Sequence, residues 1–206
     1  MPYSTIIFDI DGTLTDSAPA ILYSLRNALL ATIGKDYSYK ELHSALAAPS
    51  YITLQKFAGD RWKEAAHIGQ DYYMEALNKV SLFPNMEKTI FNLHKKGTRL
   101  GIVTSKTRIQ LGRSFVNYSI YPCFEHIICE DDTPFHKPDP RPLLECINRF
   151  HANPTSTLFI GDTFSDSECA HRAGIDFGLA SWGCQDSASI KTDVVLNSPE
   201  DLLKYV

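Results

Sequence analysis

Thr5-Ile6-Ile7-Phe8-Asp9-Ile10-Asp11-Gly12-Thr13-Leu14-Thr15 decides how the rest of the chain is read. The run Ile6-Ile7-Phe8 is short, β-branched and aromatic, the pattern of a parallel strand covered on both faces. Asp9 and Asp11 stand two apart, so a continued strand points them the same way. Gly12 frees the backbone to turn, and Thr13 can cap or bond locally. Two carboxylates at one strand end raise the pKa of one of them unless a cation sits between. A bound metal or a shared proton resolves that conflict, and either makes the strand end a candidate reaction site.

Beyond Thr15 the periodicity changes. Asp16-Ser17-Ala18-Pro19 is a helix start, and Ile21, Leu22, Leu25, Leu29 and Leu30 follow at helical spacing to a stop at Gly34. Further helices are expected over 38–46, 52–57 and 61–80, with Ala47-Ala48-Pro49-Ser50 as a break. No strand is expected between Asp16 and Val80, so residues 16–80 form an all-helical insertion. Ser81 to Asn85 is a linker. After it the spacing predicts strands at 99–104, 125–129, 157–160, 176–180 and 194–196. They alternate with helices at 86–96, 107–117, 140–150, 165–173, 187–190 and 199–204. Such alternation predicts an α/β fold: a doubly wound, Rossmann-like parallel sheet of residues 1–15 and 81–206, carrying a helical cap at 16–80. Ligands of such sheets bind at the carboxyl ends of the strands, near a switch point.

The strong polar signals follow strands. One strand ends at Asp9 and Asp11, the next at Thr104-Ser105-Lys106, a third at Gly161-Asp162-Thr163-Phe164-Ser165-Asp166. Between the last two, prolines flank Lys137 and help hold a point charge in place. These parts suit phosphoryl transfer, which needs a nucleophile, an acid, a charge-screening metal and donors for phosphoryl oxygens. Asp9 is the candidate nucleophile and Asp11 the candidate acid and base. Ser105 or Thr104, opening a helix, would hold phosphoryl oxygens, with Gly12 counted at the same site. Lys137 would neutralise phosphoryl charge, and Asp162 with Asp166 would bind a hard cation such as Mg²⁺ beside Asp9.

Asp9-Ile10-Asp11-Gly12-Thr13-Leu14, Thr104-Ser105-Lys106, Lys137-Pro138 and Gly161-Asp162-x-x-x-Asp166, in this order, resemble the haloacid dehalogenase superfamily. The resemblance covers essentially the whole chain and is nearest to phosphoglycolate phosphatase-like hydrolases and their pyrophosphatase relatives. It implies an aspartyl-phosphate on Asp9 and Mg²⁺ held by Asp9, the main-chain oxygen of Asp11 and Asp162, with Asp166 a ligand or a partner behind the ligands. It also implies a substrate-facing cap loop at Ala48-Pro49-Ser50, where Ala48 departs from the glycine that often precedes this proline. The implied activity is a phosphatase acting on a small phosphorylated metabolite. An inorganic pyrophosphatase, a sugar phosphomutase and a non-catalytic binding protein of the same fold are the alternatives.

Composition narrows the classes. With 20 Lys and Arg against 24 Asp and Glu the net charge is −4, and no basic cluster points to nucleic acid. Five cysteines without a CxxC pair read as reduced thiols rather than a disulfide framework. No basic segment with an apolar core precedes the first strand, and no apolar run nears the ~20 residues that span a bilayer. A cytoplasmic protein without membrane partners is expected; whether it is a monomer or a dimer stays open.

Overall fold

The structure, a computed structural model, describes residues 2–43, 46 and 50–206. The chain divides into two compact units, Met1–Thr15 with Leu82–Val206, and Asp16–Ser81. In chain order the elements are β1 (Thr5–Phe8), β2 (Thr15–Asp16), α1 (Ala18–Ile33), α2 (Tyr39–Leu42), α3 (Ser50–Ala58) and α4 (Trp62–Glu75). There follow β3 (Ser81–Leu82), α5 (Met86–Lys95), β4 (Arg99–Val103), α6 (Arg108–Ser114), β5 (His126–Ile128) and α7 (Arg141–Phe150). The chain ends with β6 (Thr157–Gly161), α8 (Phe164–Ala173), β7 (Asp176–Ala180), β8 (Val194–Leu196) and a short 3-10 helix, Pro199–Lys204. No described helix is long and apolar enough to cross a membrane.

The first unit is built on a parallel six-stranded sheet in the order β5-β4-β1-β6-β7-β8. β1 lies between β4 and β6: Phe8 pairs with Ile102 on one side and Ile160 on the other. The chain builds outward through β4 and β5, then returns past β1 to build the other half, so the switch point lies beside β1. Ile6, Ile7 and Phe8 are fully buried. Ile6 and Phe8 pack with Met86, Ile90 and Leu93 of α5 and Leu111 of α6. Ile7 faces the other way, with Leu143 and Phe150 of α7 and Cys169 of α8. A strand covered on both faces has no room for a polar residue until it ends, and each such buried side chain contributes roughly 1.5–3 kcal/mol.

The second unit has its own core of Leu25, Leu29, Tyr37, Leu42, Leu54, Ala58 and Ala65. The Ser24 hydroxyl of α1 donates to the Gly69 carbonyl of α4 at 2.6 Å and ties the two helices together. The start and stop of α1 follow the sequence reading, with Pro19 in the first turn and Gly34 left-handed at φ 69°.

Other boundaries differ. The helix expected over 38–46 is described only as α2, capped by Ser38, whose hydroxyl accepts the Glu41 N–H while Glu41 answers the Ser38 N–H. The long helix expected over 61–80 stops at Glu75 and passes into a 3-10 turn at Leu77–Lys79. Ser81–Leu82 is a strand rather than a linker, paired with β2 in a two-stranded sheet. Residues 187–190 are not a helix: Asp186 accepts the Ala188 N–H and turns the chain instead.

Gly101 in β4 faces the ring of Phe150, and a Cβ there would lie 2.6 Å from Phe150 Cε2 and 3.1 Å from Cys146 Sγ. Gly101→Ala is expected to destabilise the protein by about 1–3 kcal/mol through overpacking. Urea unfolding monitored by circular dichroism measures this; an unchanged midpoint would contradict the packing described.

Candidate active site

The site follows from where three adjacent strands stop. Asp9 is the first residue past β1, and its N–H donates to Ile160 O of β6 at 2.9 Å. The chain then turns tightly: Thr13, Leu14 and Thr15 N–H groups all donate to Ile10 O, and the Gly12 N–H donates to Thr15 O. Gly12 adopts φ 80°, and a Cβ there would sit 2.2 Å from an Asp162 carboxylate oxygen. The glycine is therefore needed twice, for the turn and for the close approach of Asp162. Its N–H is spent within the turn, so its contribution is space rather than a donor to phosphate.

Asp162 is the first residue past β6, and its Oδ1 accepts the Thr13 hydroxyl at 3.1 Å. Asp166 lies in the first turn of α8, fully buried. Its Oδ2 accepts both the Thr163 N–H and hydroxyl, while the Thr163 hydroxyl accepts the Asp166 N–H, a capping box. Its Oδ1 accepts from Lys137 Nζ at 2.7 Å, and the same Nζ is 2.8 Å from Asp9 Oδ1. Lys137 thus bridges the carboxylates of β1 and α8 with its side chain 6% exposed.

Thr104 and Ser105 separate in the structure. Thr104 is buried, its N–H donates to Ile128 O, and its hydroxyl accepts the Lys106 N–H. Ser105 is exposed and makes no hydrogen bond among the described residues. Both line a small pocket with Lys137, His136 and Glu130. Lys106, to which the sequence reading gave no role, turns inward: its side chain is 9% exposed and Nζ lies 2.7 Å from Asp11 Oδ2. Trp182 and Gly183, after β7, also went unread. The Trp182 indole donates to Thr13 O at 2.9 Å, and Gly183 packs so closely on the Gly12 carbonyl that no Cβ would fit. Ala48 and Pro49 lie outside the described residues, and Ser50 opens α3.

Electrostatics sharpen this picture. Burial pushes the Asp9 carboxyl up to about 7, against the pull of Lys137 and with a further push from Asp166 and Asp11. Asp162 is raised well above the ordinary range by burial, then by the charges of Asp166 and Asp9. Burial works against the Lys137 ammonium, but the Asp166 and Asp9 carboxylates outweigh it and hold its pKa above that of an ordinary lysine. The site therefore holds more buried negative charge than its lysines offset. One carboxylate oxygen each from Asp9, Asp162 and Asp166 lies within 4.8 Å of the others. An all-oxygen donor set with surplus negative charge fits a hard divalent cation.

The chain is similar to several known proteins. A model of the haloacid dehalogenase-like hydrolases matches residues 6–180. A phosphoglycolate phosphatase of Aquifex aeolicus (strain VF5) is 30% identical over 98% of this chain and 95% of its own length. The pyrophosphatase PpaX of Bacillus velezensis is 26% identical over 97% of this chain and 94% of its own. Among solved structures, a Lactobacillus plantarum protein inferred to be a phosphoglycolate phosphatase superposes with a TM-score of 0.93. It has 32% identity and full coverage of both chains. With the family model spanning every strand from β1 to β7 and the carboxylates at their ends, the chain belongs to the haloacid dehalogenase-like hydrolases.

Proposed function

We propose that the protein is a Mg²⁺-dependent phosphatase that hydrolyses a small soluble phosphomonoester of the phosphoglycolate type through an aspartyl-phosphate on Asp9. The observation that carries this reading is the bridge from Asp9 through Lys137 to Asp166, with Asp162 beside it, at the ends of neighbouring parallel strands. A buried carboxylate held by a lysine at a switch point is suited to attack phosphorus.

In the first half-reaction Asp9 forms a bond to phosphorus, the bond to the leaving oxygen breaks, and Asp11 gives that oxygen a proton. In the second, Asp11 takes a proton from the water that attacks phosphorus, and Asp9 is released with inorganic phosphate. Lys137 offsets the charge of the phosphoryl oxygens and fixes Asp9 Oδ1. Ser105, exposed and without a hydrogen bond among the described residues, is the better placed of the pair to meet a phosphoryl oxygen. Thr104, buried and already bonded, shapes the loop. Asp9, Asp162 and the main-chain oxygen of Asp11 would hold Mg²⁺, which would screen charge at the phosphoryl oxygens. Both oxygens of Asp166 are engaged by Lys137 and Thr163, which favours a supporting role over direct ligation. The helical unit Asp16–Ser81 would act as the cap that selects the substrate. The named relatives include both a phosphoglycolate phosphatase and a pyrophosphatase. Pyrophosphate is therefore the competing substrate, and a ratio of kcat/KM values for it and phosphoglycolate decides between them. A small phosphorylated metabolite in the cytoplasm is the partner this reading implies.

Asp9→Asn is expected to lower phosphate release by roughly 10⁴-fold while leaving the far-ultraviolet circular dichroism spectrum unchanged. Substantial remaining turnover would remove Asp9 as nucleophile.

A carboxyl whose pKa rises on folding, as Asp9 does to about 7, stabilises the fold below its unfolded value of about 4, and loses that contribution as pH rises through about 7. Without divalent cation the melting temperature should therefore fall between about pH 5 and about pH 8. Added Mg²⁺ should raise it more at the higher pH, where its ligands are deprotonated. Asp162→Asn should raise the cation-free melting temperature and abolish the Mg²⁺ response. A Mg²⁺ response that survives in that variant would place the cation elsewhere.

A further inference from the structure

The phosphoryl-transfer reading uses one lysine, yet the structure buries two at the carboxyl edge of the sheet. Lys137 serves Asp9 and Asp166. Lys106 serves a different carboxylate, Asp11, with Nζ 2.7 Å from Oδ2. The loop that carries Lys106 is tied at both ends of the residue: its N–H donates to the Thr104 hydroxyl at 3.2 Å, and its carbonyl accepts the Glu130 N–H at 2.9 Å. Asp11 Oδ1 is shielded from solvent and has no hydrogen-bond partner among the described residues. A shielded carboxylate oxygen without a partner is costly, and one that persists calls for an explanation. The two oxygens of Asp11 are thus in unlike states, one clamped by an ammonium group and one unspent.

We propose that Lys106 is a positioning residue that clamps Asp11 through Oδ2 and so presents Oδ1 to the leaving oxygen of the substrate. The inference rests on the phosphatase reading and adds to it a residue that acts on the acid rather than on the phosphoryl group. As Asp9 bonds to phosphorus, the electron pair of the breaking bond goes to the leaving oxygen, and the Asp11 Oδ1 proton goes to that oxygen. The carboxylate left behind forms next to a fixed ammonium group, so its charge is met as it develops. In the second half-reaction the attacking water returns a proton to the same oxygen, and the clamp is restored unchanged. An ion pair that fixes the χ angles of Asp11 keeps the transferring oxygen within the few tenths of an ångström that general acid catalysis demands.

A structural role and a positioning role for Lys106 separate by leaving group. An acidic leaving group departs with little help from an acid, whereas a basic one needs the proton. The experiment measures kcat/KM with Mg²⁺ for p-nitrophenyl phosphate and phenyl phosphate, in the wild type, Lys106→Met and Lys106→Arg. Lys106→Met is expected to lose about 10-fold or less on p-nitrophenyl phosphate and about 10²-fold or more on phenyl phosphate. Lys106→Arg, which keeps the charge, is expected to recover part of the phenyl phosphate activity. Lys106→Gln, uncharged and polar, gives the same comparison should the Met variant not fold. Equal losses on both esters, or no loss on either, would overturn the inference and leave the phosphatase reading standing. A wild type that hydrolyses neither these esters nor phosphoglycolate would remove that reading, and the role of Lys106 with it.

Discussion

Asp9, Asp11, Asp162 and Asp166 crowd one edge of a parallel sheet, and the cations paired with them there are Lys106 and Lys137. Carboxylates so placed repel one another, and burial adds to the cost of Asp9, Asp162 and Asp166. The surroundings limit that cost without cancelling it. Thr13 donates to Asp162, Thr163 caps α8 through Asp166, and Lys137 spans from β1 to α8. What is left over is surplus negative charge at one point, a donor set that suits a hard divalent cation.

The backbone around this point is built to permit the crowding. Gly12 gives Asp162 the room that any side chain would take, and Gly183 presses the loop after β7 onto the Gly12 carbonyl. Trp182 pins the far side of the turn through Thr13 O. Fixed dipoles and charges of this kind are set before substrate arrives, so little reorganisation remains for the reaction itself. Lys106 pairs with Asp11 and Lys137 with Asp9, so the two carboxylates of the opening stretch, only two residues apart, have separate cations.

Much of this was legible in the sequence because burial on both faces leaves few residue types available. Ile6-Ile7-Phe8 read as a covered strand, the polar residues at 9, 104 and 162 stood out at the ends of such runs, and Lys137 stood out between its prolines. Two-residue strands such as β2 and β3 are too short to carry a period, so Ser81–Leu82 read as a linker. The stretch 187–190 read as a helix because an Asx turn leaves no mark on hydrophobic spacing. Lys106 escaped notice since a lysine after a strand is ordinarily solvated. Its signal was register: Asp11 lies three residues past β1 and Lys106 three past the neighbouring β4. The state of Asp166 had a signal too, since Thr163-x-x-Asp166 is a capping box, which commits that carboxylate to its own helix start.

The central claim is that Asp9 itself is phosphorylated, and the most direct measurement is to trap it. The wild-type protein with Mg²⁺ is mixed with radiolabelled phosphoglycolate, quenched in acid during the first turnovers, and assayed for protein-bound label. Parallel quenched samples are reduced with borohydride, which converts an aspartyl-phosphate to homoserine, and are mapped by mass spectrometry. The expected result is protein-bound phosphate during turnover and homoserine at position 9. Phosphate released at full rate with no protein-bound label, or homoserine at another aspartate, would contradict it.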